Sequence, residues 1–286
     1  MNIDLIAFDL DGTTLNSRKE ISAANRNALR NAYQKGVKLV PCTGRSLSCL
    51  SDALIALLNE LGFGAFPYII ADNGAQVYAL PARELLMTKN IGEQTALAVL
   101  AESRKYRAII HCSFGAQGGI DSKGRVWENE TGRDMIASYN ENWYGPIVDL
   151  EPLIRWNCGA VKFSVVFYDE AEFRTAADTF SAWPEVELAS GDVKSLEIMT
   201  RGIHKGETLR FVSEHSRVPM DRIMAIGDNY NDMEMIRGAG WGVAMGNAVP
   251  ELKRAADWIT LTNDEDGLAA AIEKMLSERA GVKAGA

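Results

Sequence analysis

Two aspartates, Asp9 and Asp11, stand two residues apart in the pentad Asp9-Leu10-Asp11-Gly12-Thr13, at the end of the apolar run Ile3–Leu10. On an extended chain, residues i and i+2 point the same way, so the two carboxylates share a direction. Buried together without a counter-charge, they would repel and one would be driven toward its protonated form. A divalent cation removes that conflict. Mg2+ suits the purpose, because it prefers hard oxygens and takes one or two carboxylates alongside substrate phosphate and water. Gly12 permits the sharp turn that ends the strand. In open parallel sheets, ligands bind outside the carboxyl ends of the strands, where this pentad falls.

Three further groups complete a phosphate-handling set. Gly227-Asp228-Asn229-Tyr230-Asn231-Asp232 follows a second apolar strand, so its carboxylates can converge with the first pair on one metal; alone, the segment also fits an Asx turn capping a helix. Thr43-Gly44-Arg45 follows the strand-like VKLVPC and offers a hydroxyl and backbone N–H groups at a helix start, a site for phosphate oxygens or, more simply, an N-cap. Lys205, in GIHKGE, sits where a helix begins and gains nothing from the helix dipole there. Its purpose is to neutralise a phosphate and the crowded carboxylates; most lysines instead lie solvated on the surface.

These residues need strand ends to gather them, and the chain provides a regular alternation. Ile3–Leu10 reads as a buried strand, followed by a helix from the N-cap Ser22 to Lys35 with Gly36 as its stop. Val37–Cys42 is a second strand, Ser46–Leu61 an amphipathic helix closed by Gly62, and Tyr68–Ala71 a third strand. Near-continuous apolar strands alternating with helices predict a covered parallel sheet. The pattern returns with a helix at Lys205–Glu214, a strand at Arg222–Ile226, a short helix at Asp232–Arg237, strands at Trp241–Met245 and Trp258–Leu261, and a helix at Gly267–Glu278. Between them, from about Gly92 to Lys194, strand-like stretches mixed with two helices suggest a separate α+β domain. Four of the six tryptophans (Trp127, Trp143, Trp156 and Trp183) fall there and are expected to fill its core. The small-residue tail Ala280–Ala286 is expected to fray.

Composition narrows the function classes. A net charge of -8 argues against general nucleic-acid binding. The four cysteines, Cys42, Cys49, Cys112 and Cys158, contain no CxxC pair and are expected to be reduced thiols of a cytoplasmic protein. The N-terminus carries acids inside its apolar run and does not read as a signal peptide, and no run reaches the length a membrane helix needs. A cysteine phosphatase would need Arg six residues after its Cys; after Cys112 that position is Gly118. Neither GxxxxGK[ST] nor GxGxxG occurs, so ATP-loop and dinucleotide readings have no support.

The four motifs, in this order and on these strand ends, resemble the signatures of the haloacid dehalogenase superfamily of phosphotransferases. Asn73-Gly74-Ala75, Leu196-Glu197-Ile198, GDNYND and Met245-Gly246-Asn247-Ala248 are similar to the Cof type, subclass IIB, with its large α/β cap. That resemblance implies a Rossmann-like α/β core over residues 1–88 and 195–286 and an inserted α+β cap over 89–194. It implies Asp9 as nucleophile and Asp11 as the acid that protonates the leaving oxygen and then activates water. Thr43, Gly44, Lys205 and Asn231 would hold the phosphoryl group. Asp9, Asp228 and the Asp11 carbonyl would bind Mg2+, supported by Asp232, Gly12, Asn73 and Glu197. Apart from that resemblance, Arg45 and Lys162, the latter oddly placed on a strand-like run, are candidates for substrate contact. Cys42 departs from the family pattern and is expected to be a packing substitution. The implied activity is hydrolysis of a small phosphorylated metabolite, sugar phosphates first, by a monomer or homodimer acting without nucleic acid or membrane. A hexose-phosphate mutase and a non-catalytic phosphometabolite sensor are the alternatives.

Overall fold

A computed structural model describes residues 2–115, 117–128, 145–189 and 194–283. The first segment holds β1 (Leu5–Phe8), α1 (Ala23–Gln34), β2 (Lys38–Pro41), α2 (Asp52–Leu61), β3 (Tyr68–Ala71), β4 (Gln76–Ala79) and β5 (Glu84–Thr88). There follow β6 (Ile91–Gly92), α3 (Glu93–Ser103), β7 (Ala108–Ser113), β8 (Gly118–Asp121), β9 (Ile147–Val148), α4 (Leu150–Trp156), β10 (Gly159–Ala160), β11 (Lys162–Phe167), α5 (Glu170–Ser181), β12 (Val186–Ala189) and β13 (Ser195–Thr200). The last segment holds α6 (Lys205–Ser216), β14 (Ile223–Gly227), α7 (Met233–Gly238), β15 (Trp241–Ala244), α8 (Pro250–Ala255), β16 (Trp258–Ile259) and α9 (Gly267–Lys283).

Two compact units result. The first comprises residues 1–43, 50–87 and 204–286; the second comprises 44–49 and 88–203. The first is α/β, built on a parallel sheet in the order β16-β15-β14-β1-β2. Every residue of β1 and β14 is buried, as strands covered on both faces require. Ser22 caps α1 as expected, accepting from the Asn25 N–H at 3.0 Å.

The structure departs from three local expectations. The helix expected over Ser46–Leu61 is a 3-10 turn at Leu47–Cys49 and then α2, because Ser51 forms a fresh N-cap by accepting from the Leu54 N–H. The third strand is not a laddered member of the parallel sheet. A single parallel bridge, Cys42 to Ile70, joins β3 to the end of β2. Left-handed backbone at Asp72, Asn73 and Gly74 then reverses the chain, and β3, β4 and β5 form an antiparallel sheet. At the C-terminus, α9 continues to Lys283, five residues beyond the expected Glu278, and residues 284–286 lie outside the described residues.

The second unit carries a six-stranded sheet in the order β12-β13-β11-β7-β8-β9. Alternation along its strands divides two kinds of surface. Phe163, Val165 and Phe167 of β11, Ile110 and Cys112 of β7, and Leu196 and Ile198 of β13 pack with Val99, Leu100, Ile154 and Phe180 of the helices. Of the alternate residues, His111, Ser113, Lys162, Ser164 and Glu197 are polar, while Val166 packs with Ile109 and Ile120 in a smaller apolar cluster. β13 pairs with β11 and β12 on its two sides, so residues 195–203 group with the inserted unit, whereas the sequence reading begins the second core segment at residue 195. Trp127 and Trp183 are half-buried against apolar clusters. Trp156 is 86% exposed, against expectation, because α4 buries Leu150 and Ile154 and turns its last residue outward. Trp143 lies outside the described residues.

Candidate active site

β1 and β14 are hydrogen-bonded neighbours with Phe8 opposite Ile226, so the residues that follow them emerge side by side. Asp9 continues β1, its N–H donating to Ile226 O at 3.0 Å, and Asp228 follows β14 directly. Beside Asp9 lies the end of Lys205, the first residue of α6, whose N-cap is His204. The Lys205 side chain is fully buried, and Nζ donates to Asp9 Oδ1 at 2.5 Å and to Asp232 Oδ1 at 2.7 Å. Asp232 uses its other oxygen as well: Oδ2 accepts the N–H groups of Asp228 at 2.9 Å and Asn229 at 3.1 Å. Asp228 Oδ1 accepts the Thr13 hydroxyl at 2.7 Å, and Thr14 Oγ1 donates to Asp9 O at 2.6 Å.

Carboxylate oxygens of Asp9, Asp228 and Asp232 all lie within 4.8 Å of one another. One ammonium therefore faces three acids, and negative charge is in excess. Burial, chiefly, pushes the Asp9 carboxyl well above the usual range; Lys205 opposes this, while Asp232 and Asp228 reinforce it. Burial and Asp232 likewise raise Asp228 to about 7, against the Thr13 hydrogen bond. Lys205 is held above the ordinary lysine value because the attraction of Asp232 and Asp9 outweighs its burial.

A small hard cation fits this arrangement. The donors are carboxylate oxygens, the charge is unbalanced, and Asp232 is committed to Lys205 and to two backbone donors, which leaves Asp9 and Asp228 better placed to offer an oxygen. Gly12 is required for the approach. Its φ is +80°, and a Cβ there would stand 2.4 Å from Asp228 Oδ2.

The remaining expected residues distribute as follows. The Asp11 carboxylate is partly exposed, outside the triad, and paired with Lys19 at 3.1 Å. Thr43 is buried; its N–H donates to Ile70 O and its carbonyl accepts the Asn73 N–H. Asn231 Nδ2 donates to Asn73 Oδ1 at 3.0 Å, which joins two of the expected supporting residues. The Cys42 N–H donates to Phe8 O at 2.8 Å, its side chain is buried, and burial raises the pKa of its thiol. The other four residues, Gly44, Arg45, Lys162 and Glu197, belong to the second unit. Lys162, expected to meet substrate, is 2% exposed, and its ammonium is engaged by Glu197 Oε1 at 2.6 Å and Gly44 O at 2.5 Å. Burial, with the Lys162 charge nearby, holds His111 neutral down to about pH 3. Sequence reasoning assigned no role to Thr13, Thr14 and Lys19; the hydroxyl run in DGTT was the available signal for the first two.

The profile of the haloacid dehalogenase-like hydrolases matches residues 6–272. The chain belongs to this family. It is 33% identical over 276 residues to a 5-amino-6-(5-phospho-D-ribitylamino)uracil phosphatase of Bacillus subtilis, covering 95% of each chain. It is 30% identical over 247 residues to the HMP-PP phosphatase of Cronobacter sakazakii, covering 86% of this chain and 85% of that one. A solved haloacid dehalogenase-like hydrolase from Bacteroides thetaiotaomicron superposes with a TM-score of 0.80 at 30% identity, over 96% of this chain and 99% of the other. A subclass IIB sugar phosphatase shares the fold, with a TM-score of 0.79 at 23% identity over 95% of this chain and 98% of the other. As a Cof-type haloacid dehalogenase phosphatase, the chain is a phosphoric monoester hydrolase. Among the described residues, no helix is long and apolar enough to cross a membrane.

Proposed function

We propose that this phosphatase hydrolyses small phosphorylated metabolites, sugar phosphates among them, through an aspartyl-phosphate on Asp9, with Mg2+ as cofactor. The observation that carries the reading is the buried Lys205 ammonium held between Asp9 and Asp232, with Asp228 completing the acidic cluster.

Asp9 attacks phosphorus and the ester oxygen leaves, taking its proton from Asp11, which is placed two residues on and less buried. Asp11 then removes a proton from water, which displaces the phosphoryl group from Asp9. Lys205 keeps the attacking carboxylate oriented and offsets charge on the phosphoryl oxygens, the main demand of phosphoryl transfer. Thr43 and Asn231 are phosphate-holding residues, with Asn73 orienting Asn231. Mg2+, held by Asp9, Asp228 and the Asp11 carbonyl, would supply the positive charge that lets the acids ionise together. The second unit acts as the substrate-specificity domain. The relatives named for a phosphoribityl compound and for HMP-PP make those two compounds the first to screen beside sugar phosphates.

Purified protein with Mg2+ should release inorganic phosphate from an aryl phosphate and from members of a metabolite panel. Silence across the panel in a metal-replete assay would defeat the proposal. Phosphorus NMR of the product separates free phosphate from an isomerised ester, which would indicate a mutase.

A further inference from the structure

The turn Met245–Val249 ties together two of the loops that carry the acidic groups. Asn247 Nδ2 donates to Gly12 O at 2.8 Å, and the Val249 N–H donates to Asp228 O at 2.9 Å. Gly12 directly follows Asp11, so the turn spans from the main chain beside one acid to the main chain of another. The turn is itself anchored, with the Met245 N–H donating to Gly227 O at 3.0 Å and the Gly246 N–H to Leu261 O at 2.9 Å. At Gly246, a Cβ would lie 2.8 Å from the Leu261 carbonyl carbon and the Thr262 nitrogen, so only glycine fits.

Asn247 is exposed, where an amide ordinarily turns freely in water. Here both ends are set. Its Oδ1 accepts the Asn263 N–H at 3.0 Å, which obliges Nδ2 to face the Gly12 carbonyl. The Asn263 side chain reaches back as well, Nδ2 donating to Leu15 O at 2.9 Å, and Asp264 Oδ1 accepts the Ser17 N–H at 2.8 Å. The segment beyond Asp11 is thus pinned by three side chains from outside the acidic cluster.

We propose that Asn247 is a positioning residue for phosphoryl transfer, with Asn263 setting its orientation. By holding the Gly12 carbonyl, Asn247 restrains the backbone next to Asp11, so that the reach of the acid–base carboxylate depends on its own side-chain torsions. General acid–base catalysis demands such placement, because proton transfer requires hydrogen-bond distance to the leaving oxygen. The proposal rests on the reading of Asp11 given above.

The test compares Asn247→Ala and the amide-retaining Asn247→Gln with the unmodified protein, alone and in an Asp11→Asn background. Turnover of an aryl phosphate with Mg2+, thermal midpoint, and hydrogen exchange over residues 10–20 are measured. Asn247→Ala should lower kcat about five- to tenfold, the scale of one lost hydrogen bond, with KM and midpoint little changed. Asn247→Gln should recover part of the loss, and exchange over residues 10–20 should quicken in Asn247→Ala. In the Asp11→Asn background the same change should cost less than about twofold, since residues acting as a unit are non-additive. Unchanged kcat, or an equal loss in both backgrounds, overturns the proposal. Unaltered exchange overturns the pinning whatever the activity, whereas absence of phosphate release by the unmodified protein strikes the phosphatase reading and the positioning role with it.

Discussion

Among the described residues, two lysines, Lys162 and Lys205, are buried against carboxylates, and they differ in stoichiometry. Lys162 meets one carboxylate, Glu197, and one carbonyl, Gly44 O, so charge is balanced within the contact. Lys205 meets Asp9 and Asp232 with Asp228 beside them, so negative charge exceeds positive. A balanced buried pair is a closed arrangement whose removal as a unit can be neutral. An unbalanced one holds protons it would shed in water: burial first, and the neighbouring acids in addition, raise Asp9 and Asp228, and a cation or a phosphoryl group is given something to complete. The difference separates a site from a staple more reliably than burial does, since both ammonium groups are equally hidden.

That contrast can be broken in order of decreasing effect. Asp9→Asn should abolish turnover, by at least about ten-thousandfold in kcat, while leaving the protein folded, because it removes the nucleophile along with one of the crowded charges. Undiminished phosphate release would reject the nucleophile assignment. Lys205→Met should cost about 3–5 kcal/mol of stability in urea unfolding and nearly all activity, since two buried carboxylates lose the ammonium that both contact. Lys162→Met should cost a similar stability alone, but the double variant with Glu197→Leu should return to within about 1–2 kcal/mol of the parent. A double variant no more stable than the single one would show that the pair is not balanced in itself.

The metal-free protein should also respond to pH. The unfolded chain releases the Asp228 proton near 3.8 and the folded state near 7. The folded state therefore binds the proton more tightly, and this contribution to stability is fully present below about pH 4 and lost as the pH rises through about 7. Added Mg2+ should offset the loss, by about 2.7 kcal/mol when the ion is at a hundredfold excess over its dissociation constant. Thermal melts at pH 5 and 8, with and without Mg2+, check the sign, and a stability that rises over this range in the absence of metal would contradict it. Smallest of all, Trp156→Ser should move the midpoint by no more than the equivalent of about 0.5 kcal/mol, as expected of an exposed residue.

Much of the core site was legible because its residues sit at strand ends with strong local signals. The apolar runs before Asp9 and Asp228 mark buried strands, and Gly12 marks a turn that other residues resist. Ser22 and Gly62 mark helix ends by local hydrogen-bonding and backbone preference. Less legible was the split at Ser51, where a second capping serine restarts a helix that amphipathicity had drawn as continuous. The pairing of Ser195–Thr200 with strands of the insertion was not legible either, because Leu196-Glu197-Ile198 lies next to a core motif in sequence and pairs elsewhere. Trp156 followed the same pattern: composition suggested burial, and helix phase decided exposure.

From the sequence alone came the two acidic clusters, the lysine between them, the parallel alternation and the presence of an inserted α+β segment. These follow from local chemistry: periodicity, turn residues and the repulsion of nearby carboxylates. Only the tertiary structure decided that Asp232 serves Lys205 and the backbone of Asp228, that Asp11 turns to Lys19, and that Lys162 is occupied by Glu197 and Gly44. Those outcomes depend on which strand ends become neighbours, and such pairing is a long-range choice that no window of sequence contains.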